Sequence, residues 1–307
     1  MKRRVIRPSD DEWPDQLNEL GPHDPPKQLH AVGRPLPDVR YSVAVVGTRR
    51  ATAGGIATAE RFTRELAEAG LAIVSGLAMG IDAVAHRTAL QAKAHTVGVL
   101  GCGLNLPYPR VNEKIRRQME TEGTVITEYE PNVEPFKAHF PERNRIIAGI
   151  SAGVLVIEGG LKSGALITAR KALEANRMVW AIPGSVRSPF SEGPNELIRR
   201  GEASLVTSVQ DLFEELSPPI VWSDSQASMG LIDRVRMQLD RDELAALLEF
   251  DDQPITTDRI CSRLSFEPGR AFMTLSKLET RGLIRRHPLG HEITDSGLRQ
   301  RSLINTF

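Results

Sequence analysis

Four short stretches gather cations, hydroxyls or glycines, and three of them follow a run of apolar residues directly. Gly47-Thr48-Arg49-Arg50 comes directly after Val43 to Val46. Glycine lets a ligand approach the backbone, a hydroxyl donates a hydrogen bond, and a guanidinium grips phosphate as a planar fork. Ser75-Gly76 begins a second such turn that runs to Gly80, with Asp82 and His86 just beyond it. A strand that ends there and passes into a helix aims backbone N–H groups and the helix dipole at an anion. The third stretch, Lys137 to Gly149, holds Lys137, Phe140, Arg143, Asn144 and Arg145. The fourth, Glu158 to Thr168, sets Lys162, Ser163 and Gly164 after a Gly-Gly turn. One such loop is weak; several on successive strands of one sheet make a row of anion sites, which fits a polyanion.

Each stretch also has a bland explanation. Gly47 to Arg50 could be a tight turn with solvated arginines. Asp82 can cap a helix, and His86 is more often a satisfied structural histidine than a catalytic one. Arg143 to Arg145 fall where a helix is expected to start, and cations there oppose the dipole, so an anion between them and the helix end would explain them. Phe140, in a polar loop, either stacks a nucleobase or staples the helix start to the core. Glu158 stands open as ligand contact, base or turn residue.

The elements that position these residues alternate. Strands are expected at 43–46, 71–74, 96–100, 124–127, 154–157 and 179–182. Helices are expected at 58–69, 82–92, 112–122, 143–151 and 165–175. That alternation implies a parallel sheet with helices on both faces, an extended Rossmann-like α/β domain over residues 41–216. Ligands bind such sheets outside the carboxyl ends of the strands, where all four stretches fall. Residues 1–40 are rich in proline and read as an irregular entry segment, with a short helix near 15–20 and an edge strand at 28–32. A polar linker is expected at 217–230. Three short helices, at 242–250, 257–264 and 268–281, then precede two strands at 282–286 and 290–293. Residues 231–307 therefore read as a small winged-helix domain.

Composition narrows the function classes. The 307 residues are 40% hydrophobic and 25% charged, ordinary for a soluble globular chain. No apolar run reaches the roughly 20 residues of a membrane span, and no secretory core follows the basic start, so a cytoplasmic protein is expected. Cys102 and Cys261 are the only cysteines and suit neither a disulfide framework nor a zinc site. The formal net charge is +0, yet residues 137–200 hold ten Lys/Arg against five Asp/Glu. Residues 210–252 reverse this with eleven acidic against three basic, and 255–301 return to nine basic against five acidic. Two basic lobes flank an acidic segment. Neither G-x-G-x-x-G nor G-x-x-x-x-G-K-[ST] occurs, so no nicotinamide, flavin or P-loop nucleotide is expected. No paired-carboxylate, metal-ligand or nucleophile-base constellation stands out, so no enzyme, metal or cofactor is expected.

V-A-V-V-G-T-R-R, S-G-L-A-M-G-I-D-A-V-A-H, G-V-L-G-C-G-L-N-L-P-Y-P, H-F-P-E-R-N-R-I-I-A-G, S-G-A-L-I-T-A-R and I-P-G-S together resemble the DprA/Smf family of DNA-processing proteins. The resemblance spans about residues 25–213. It implies an extended Rossmann domain that binds single-stranded DNA, a homodimer, and loading of RecA recombinase onto incoming DNA during natural transformation. It assigns DNA contacts to Arg49, Lys137 and Phe140, and supports Arg143, Asn144, Arg145, Lys162, Ser163 and Gly164 as pocket residues. Gly47-Thr48-Arg49 stands where many relatives have G-S-R, which keeps the hydroxyl. Only about 40 residues precede Tyr41, where many relatives carry a helical domain. Two other functions stay in view. One is a nucleotide-binding enzyme or sensor like the phosphoribohydrolases, although their P-G-G-x-G-T-x-x-E pattern is not met. The other is a transcriptional regulator placing Arg263, Arg270, Lys277, Arg285 and Arg286 on duplex DNA.

Overall fold

The computed structural model describes residues 3–20, 25–216, 241–250 and 254–294. The chain divides into two compact units, Met1–Ser217 and Pro218–Phe307. The expected linker at 217–230 lies outside the described residues, as do 231–240, 251–253 and 295–307 of the expected winged helix.

The first unit is built on β3 (Ser42–Val46), whose five residues are all buried. A strand covered on both faces can be apolar throughout, and its neighbours here are parallel. It pairs with β4 (Ala72–Ser75) on one side and β7 (Gly153–Val156) on the other. Outward from β4 come β5 (Thr96–Val99) and β6 (Thr124–Thr127), both parallel. Outward from β7 come β8 (Met178–Ala181) and β9 (Ser204–Leu205). The crossovers are α1 (Ala53–Glu68), α2 (Ile81–Gln91), α3 (Glu113–Glu122), α4 (His139–Gly149), α5 (Gly164–Glu174) and α6 (Glu192–Arg199). A last helix, α7 (Val209–Glu215), starts from a capping box in which Ser208 and Asp211 bond reciprocally. The sheet is the extended Rossmann-like α/β layer expected from the alternation.

Two expectations for residues 1–40 change. The strand β2 (Leu29–Gly33) is interior: it runs antiparallel to β6 on one side and to β1 (Arg4–Ile6) on the other. Leu29 and Ala31 are fully buried and Ile6 nearly so, which ties this segment into the core despite its prolines. Three residues of β1 are too few to show periodicity. The expected helix near 15–20 is a single 3-10 stretch, Asp15–Glu19, that buries Leu17.

Helix starts also shift. α1 begins five residues before its expected start, because Thr52 caps it by accepting a bond from Gly55 N at 3.0 Å. α4 begins at His139 rather than Arg143. Pro141 sits in its first turn, where a missing N–H has no intrahelical partner to lose. Phe140 is therefore in a helix and not a loop. Arg143 to Arg145 belong to the second turn, so the opposition of these cations to the dipole at a helix start falls away.

The second unit has α8 (Arg241–Leu248), α9 (Thr257–Leu264) and α10 (Pro268–Thr280), then an antiparallel hairpin of β10 (Ile284–His287) and β11 (Gly290–Ile293). Phe250, Ile255, Ile260, Leu275, Leu278 and Ile284 form its own core. Five of its described arginines are engaged with carboxylates: Arg263 with Glu249, Arg270 with Asp242, Arg281 with Glu243, Arg285 with Glu292 and Arg286 with Glu279. No helix among the described residues is long and apolar enough to cross a membrane. Cys102 is a free, buried thiol and Cys261 a free, half-buried one.

Candidate nucleic-acid interface

The carboxyl ends of β3 and β7 open into a cleft of about 750 Å3. Gly47, Thr48, Arg49 and Arg50 line it from the β3 exit, Lys137, Phe140, Arg143 and Asn144 from α4 and its approach, and Lys162, Ser163 and Gly164 from the β7 exit. Arg49, Arg50, Lys137 and Lys162 are exposed. Among the described residues none of these four forms an ion pair, so their charge faces the opening. The one carboxylate in the lining, Asp82, is buried.

The loop after β3 is fixed by the β7 exit and by the turn after β4. Thr48 N donates to Glu158 O at 2.7 Å and Ile81 N to Thr48 O at 3.3 Å. Gly80 has a φ of 77°, and a side chain there would overlap the Thr48 carbonyl. Gly47 serves packing more than ligand approach, since a methyl on it would sit 2.9 Å from Ile81 Cβ. Leu77, at φ 53°, is a strained non-glycine residue in the same turn. Its N–H donates to His86 Nε2 at 3.3 Å, and its carbonyl accepts from Asn112 Nδ2 at 2.8 Å. His86 Nδ1 meets Thr96 Oγ1 at 2.7 Å, and that hydroxyl donates to Ile73 O. Thr96 Oγ1 therefore accepts from Nδ1–H, and His86 is the neutral tautomer. Burial pushes its pKa down to about 3, with the Arg143 charge acting in the same sense. His86 is a structural histidine that holds a strained turn.

Arg143 is 4% exposed and does not present its charge as a free surface group. It donates to Gly76 O at 2.9 Å and to Val99 O, tying the exits of β4 and β5 together. Burial pushes its pKa down to about 10 against the opposing pull of Asp82, so it stays a cation at neutral pH. Asp82 accepts from Gly76 N at 3.1 Å and Ala78 N at 3.4 Å. Its carboxyl is pushed up by burial and pulled back by Arg143. Gly76 leaves room for this pair: a methyl there would lie 2.6 Å from Arg143 Nη2 and 2.8 Å from Asp82 Oδ2. Asn144 Nδ2 donates to Gly164 O at 3.3 Å and joins α4 to the start of α5. Ser163 caps α5 by accepting from Ala165 N at 3.3 Å.

Three of the residues expected to contact the ligand lie off the cleft wall. Ser75 is buried, and its hydroxyl donates to Val45 O at 2.7 Å. Gly76 faces an adjoining hollow of about 40 Å3 lined also by Met79, Leu100 and Tyr108. Arg145 is held in a fork by Glu128, at 2.7 and 2.8 Å. Glu158 likewise is structural, accepting from Thr52 N at 3.0 Å and from Thr52 Oγ1 and so fastening the start of α1.

Phe140 is half-buried, with Arg49 over its ring at 5.5 Å and Tyr108 tilted against it at 5.6 Å. The ring rests on Gly101, where a methyl would come within 2.9 Å of it. It both anchors the first turn of α4 and keeps an aromatic surface in the cleft. Tyr108 went unnoticed in the sequence; an aromatic residue beside proline in the polar stretch between β5 and α3 was the available signal. Among the described residues no group of three His, Cys, Asp or Glu side chains could hold a metal ion. The arrangement offers fixed hydrogen-bond donors, four exposed cations and an aromatic ring. Such a set has the chemistry to bind and orient a phosphate-bearing ligand with a flat base.

Comparison with known proteins places the chain. Residues 4–217 match the family model of DNA recombination-mediator protein A, and residues 235–290 match the DprA winged helix domain. Protein Smf of Escherichia coli is 38% identical over 288 residues, covering 92% of this chain and 76% of its own. The X-ray structure of DNA processing protein A from Streptococcus pneumoniae superposes with a TM-score of 0.65 at 40% identity, over 71% of this chain and 76% of that one. DNA processing protein A from Helicobacter pylori, whose structure is reported for its single-stranded DNA binding mode, gives 0.63 at 32% identity, over 70% and 96%.

Proposed function

Since this chain belongs to the DprA/Smf family of DNA-processing proteins, we propose that it is a non-enzymatic protein of the bacterial cytoplasm that binds single-stranded DNA in the cleft. One observation carries the reading: four exposed cations, without ion pairs among the described residues, and the Phe140 ring surround a single opening at the carboxyl edge of the sheet. Arg49, Arg50, Lys137 and Lys162 neutralise phosphates and release counterions, and Phe140 stacks a base. Arg143, Asn144 and Gly76 act on the ligand through the loops they position. The protein protects incoming DNA as a homodimer and hands it to RecA recombinase.

The winged helix is a weaker candidate for the main DNA contact, because five of its described arginines are bound to carboxylates. A polarisation titration of labelled single-stranded and duplex oligonucleotides across salt concentrations tests the reading. Preference for the single strand is expected, with log affinity falling by roughly 0.7 per phosphate contact for each unit of log salt. Equal or stronger duplex binding would overturn it. Transfer to RecA is read separately, as RecA-dependent ATP hydrolysis on coated single strands rising when this protein is added.

A further inference from the structure

Ser185 and Arg187, at the exit of β8, repeat a local geometry found at the exit of β3. Ser185 Oγ accepts from Arg187 N at 3.2 Å, as Thr48 Oγ1 accepts from Arg50 N at 3.2 Å. The two strands flank β7 in one sheet and run parallel to it, so their exits are two strand spacings, about 10 Å, apart.

The loop between β8 and α6 is fastened along its length. Asn195 closes on Gly184, accepting from its N–H at 3.1 Å and donating to its carbonyl at 2.9 Å. Ser188 N donates to Ser185 O at 2.9 Å and Ser191 N to Ser188 O at 3.0 Å. Two backbone bonds reach the β7 loop that carries Lys162: Gly159 N to Phe190 O at 2.7 Å and Gly193 N to Gly159 O at 2.8 Å. The tip is held outward, with Val186 91% exposed and Arg187 exposed beside it.

Other arginines around β8 and α6 are committed. Arg199 and Arg200 both bind Glu196, and Arg177 binds Glu19. Arg187 has no ion pair and no side-chain hydrogen bond among the described residues. A rigid loop that is joined to the cleft wall and presents an unpaired guanidinium beside a hydroxyl suits a phosphate.

We propose that Ser185 and Arg187 form an anion contact outside the cleft, which takes a backbone phosphate of the single strand as it leaves over β7 and β8. Arg187 supplies the guanidinium fork, and Ser185 keeps its own hydroxyl proton to donate. The proposal rests on the single-strand reading above and lengthens its track by one station.

The test is polarisation with the full chain and labelled oligothymidylates of increasing length, from one that fills only the cleft to one that overruns it. Arg187→Ala is expected to leave the shortest binding length unchanged and to weaken the longer ones several-fold. The salt slope for the longer ones should fall by roughly 0.7. Arg199→Ala, which removes a committed cation nearby, should match wild type at every length. If Arg187→Ala and wild type coincide at every length, or if Arg199→Ala weakens the long strands equally, this contact is refuted while the cleft reading stands. If wild type binds no single strand at any length, the cleft reading itself has failed and the inference falls with it.

Discussion

The guanidinium of Arg49 lies over the ring of Phe140, 5.5 Å from its centroid, so a cation from the β3 exit and an aromatic residue from α4 form one unit. The pair prepares adjacent places for a phosphate and a base. Phe140→Ala is expected to weaken single-strand binding by about 1–3 kcal/mol, the usual worth of one stacked base. Arg49→Ala should weaken it and lower the salt slope. Because each residue orders the other, the double variant should lose less than the sum, by about 0.5 kcal/mol or more. Strict additivity in the four titrations would mean that the two act apart.

His86 and His95 set an acid limit to stability. Burial pushes them down to about 3 and about 4 from an ordinary 6.5. The unfolded chain binds protons at both sites near pH 6.5, before the folded chain does. Their contribution is complete above pH 6.5 and is lost as pH falls from there toward 4 and 3. Within that window each costs about 1.4 kcal/mol per pH unit. Asp82, with its carboxyl pushed up, works in the opposite sense. Urea midpoints should fall between pH 6.5 and 5 in wild type, and His86→Gln, whose amide does not titrate, should show the shallower fall. A flat wild-type profile would contradict neutral imidazoles at buried His86 and half-buried His95.

How much of this was legible in the sequence depends on the range of the forces involved. The Rossmann-like sheet was, because Val43 to Val46 and its parallel neighbours are apolar on both faces and separated by helical periods. The placement of the loops after β3 and β7 at one sheet edge follows from that order. Where α1 starts was not legible, since its cap is completed by Glu158, 106 residues away from Thr52. Ser75 shows the same limit: its hydroxyl turns to Val45 O across the sheet, a choice that local sequence does not record. Arg145 and Arg143 look alike in the string R-N-R, yet a short step along the helix sends Arg145 to Glu128 and Arg143 under the β4 turn. The interior position of β2 depended on β1, which is only three residues long.

Arg143 and Asp82 form a buried charged system that supports the β4 turn. Arg143→Met leaves the Asp82 carboxylate without its cation and the carbonyls of Gly76 and Val99 without their donor. Removing one partner of a buried pair typically costs about 3–5 kcal/mol. Adding Asp82→Asn, which takes away the unbalanced charge, should recover part of that loss. Urea unfolding of the three variants checks it. A loss below about 1 kcal/mol for Arg143→Met would place Arg143 with the exposed cations instead.

Gly54 and Gly55 are adjacent in the first turn of α1, and a methyl at the two positions meets different surroundings. At Gly54 the nearest atom is Thr52 Oγ1, at an ordinary 3.7 Å. Alanine there reduces the freedom of the unfolded chain and suits a helix, so Gly54→Ala should stabilise by about 0.5–1 kcal/mol. At Gly55 the methyl would overlap the Glu158 carboxylate that holds Thr52 N. The same substitution one residue later should therefore destabilise by about 1–3 kcal/mol, as overpacking and a displaced cap outweigh helix propensity. Urea midpoints of the two variants decide the matter. If both rise, Glu158 is not seated against the start of α1, and it returns to the set of residues free to face the cleft.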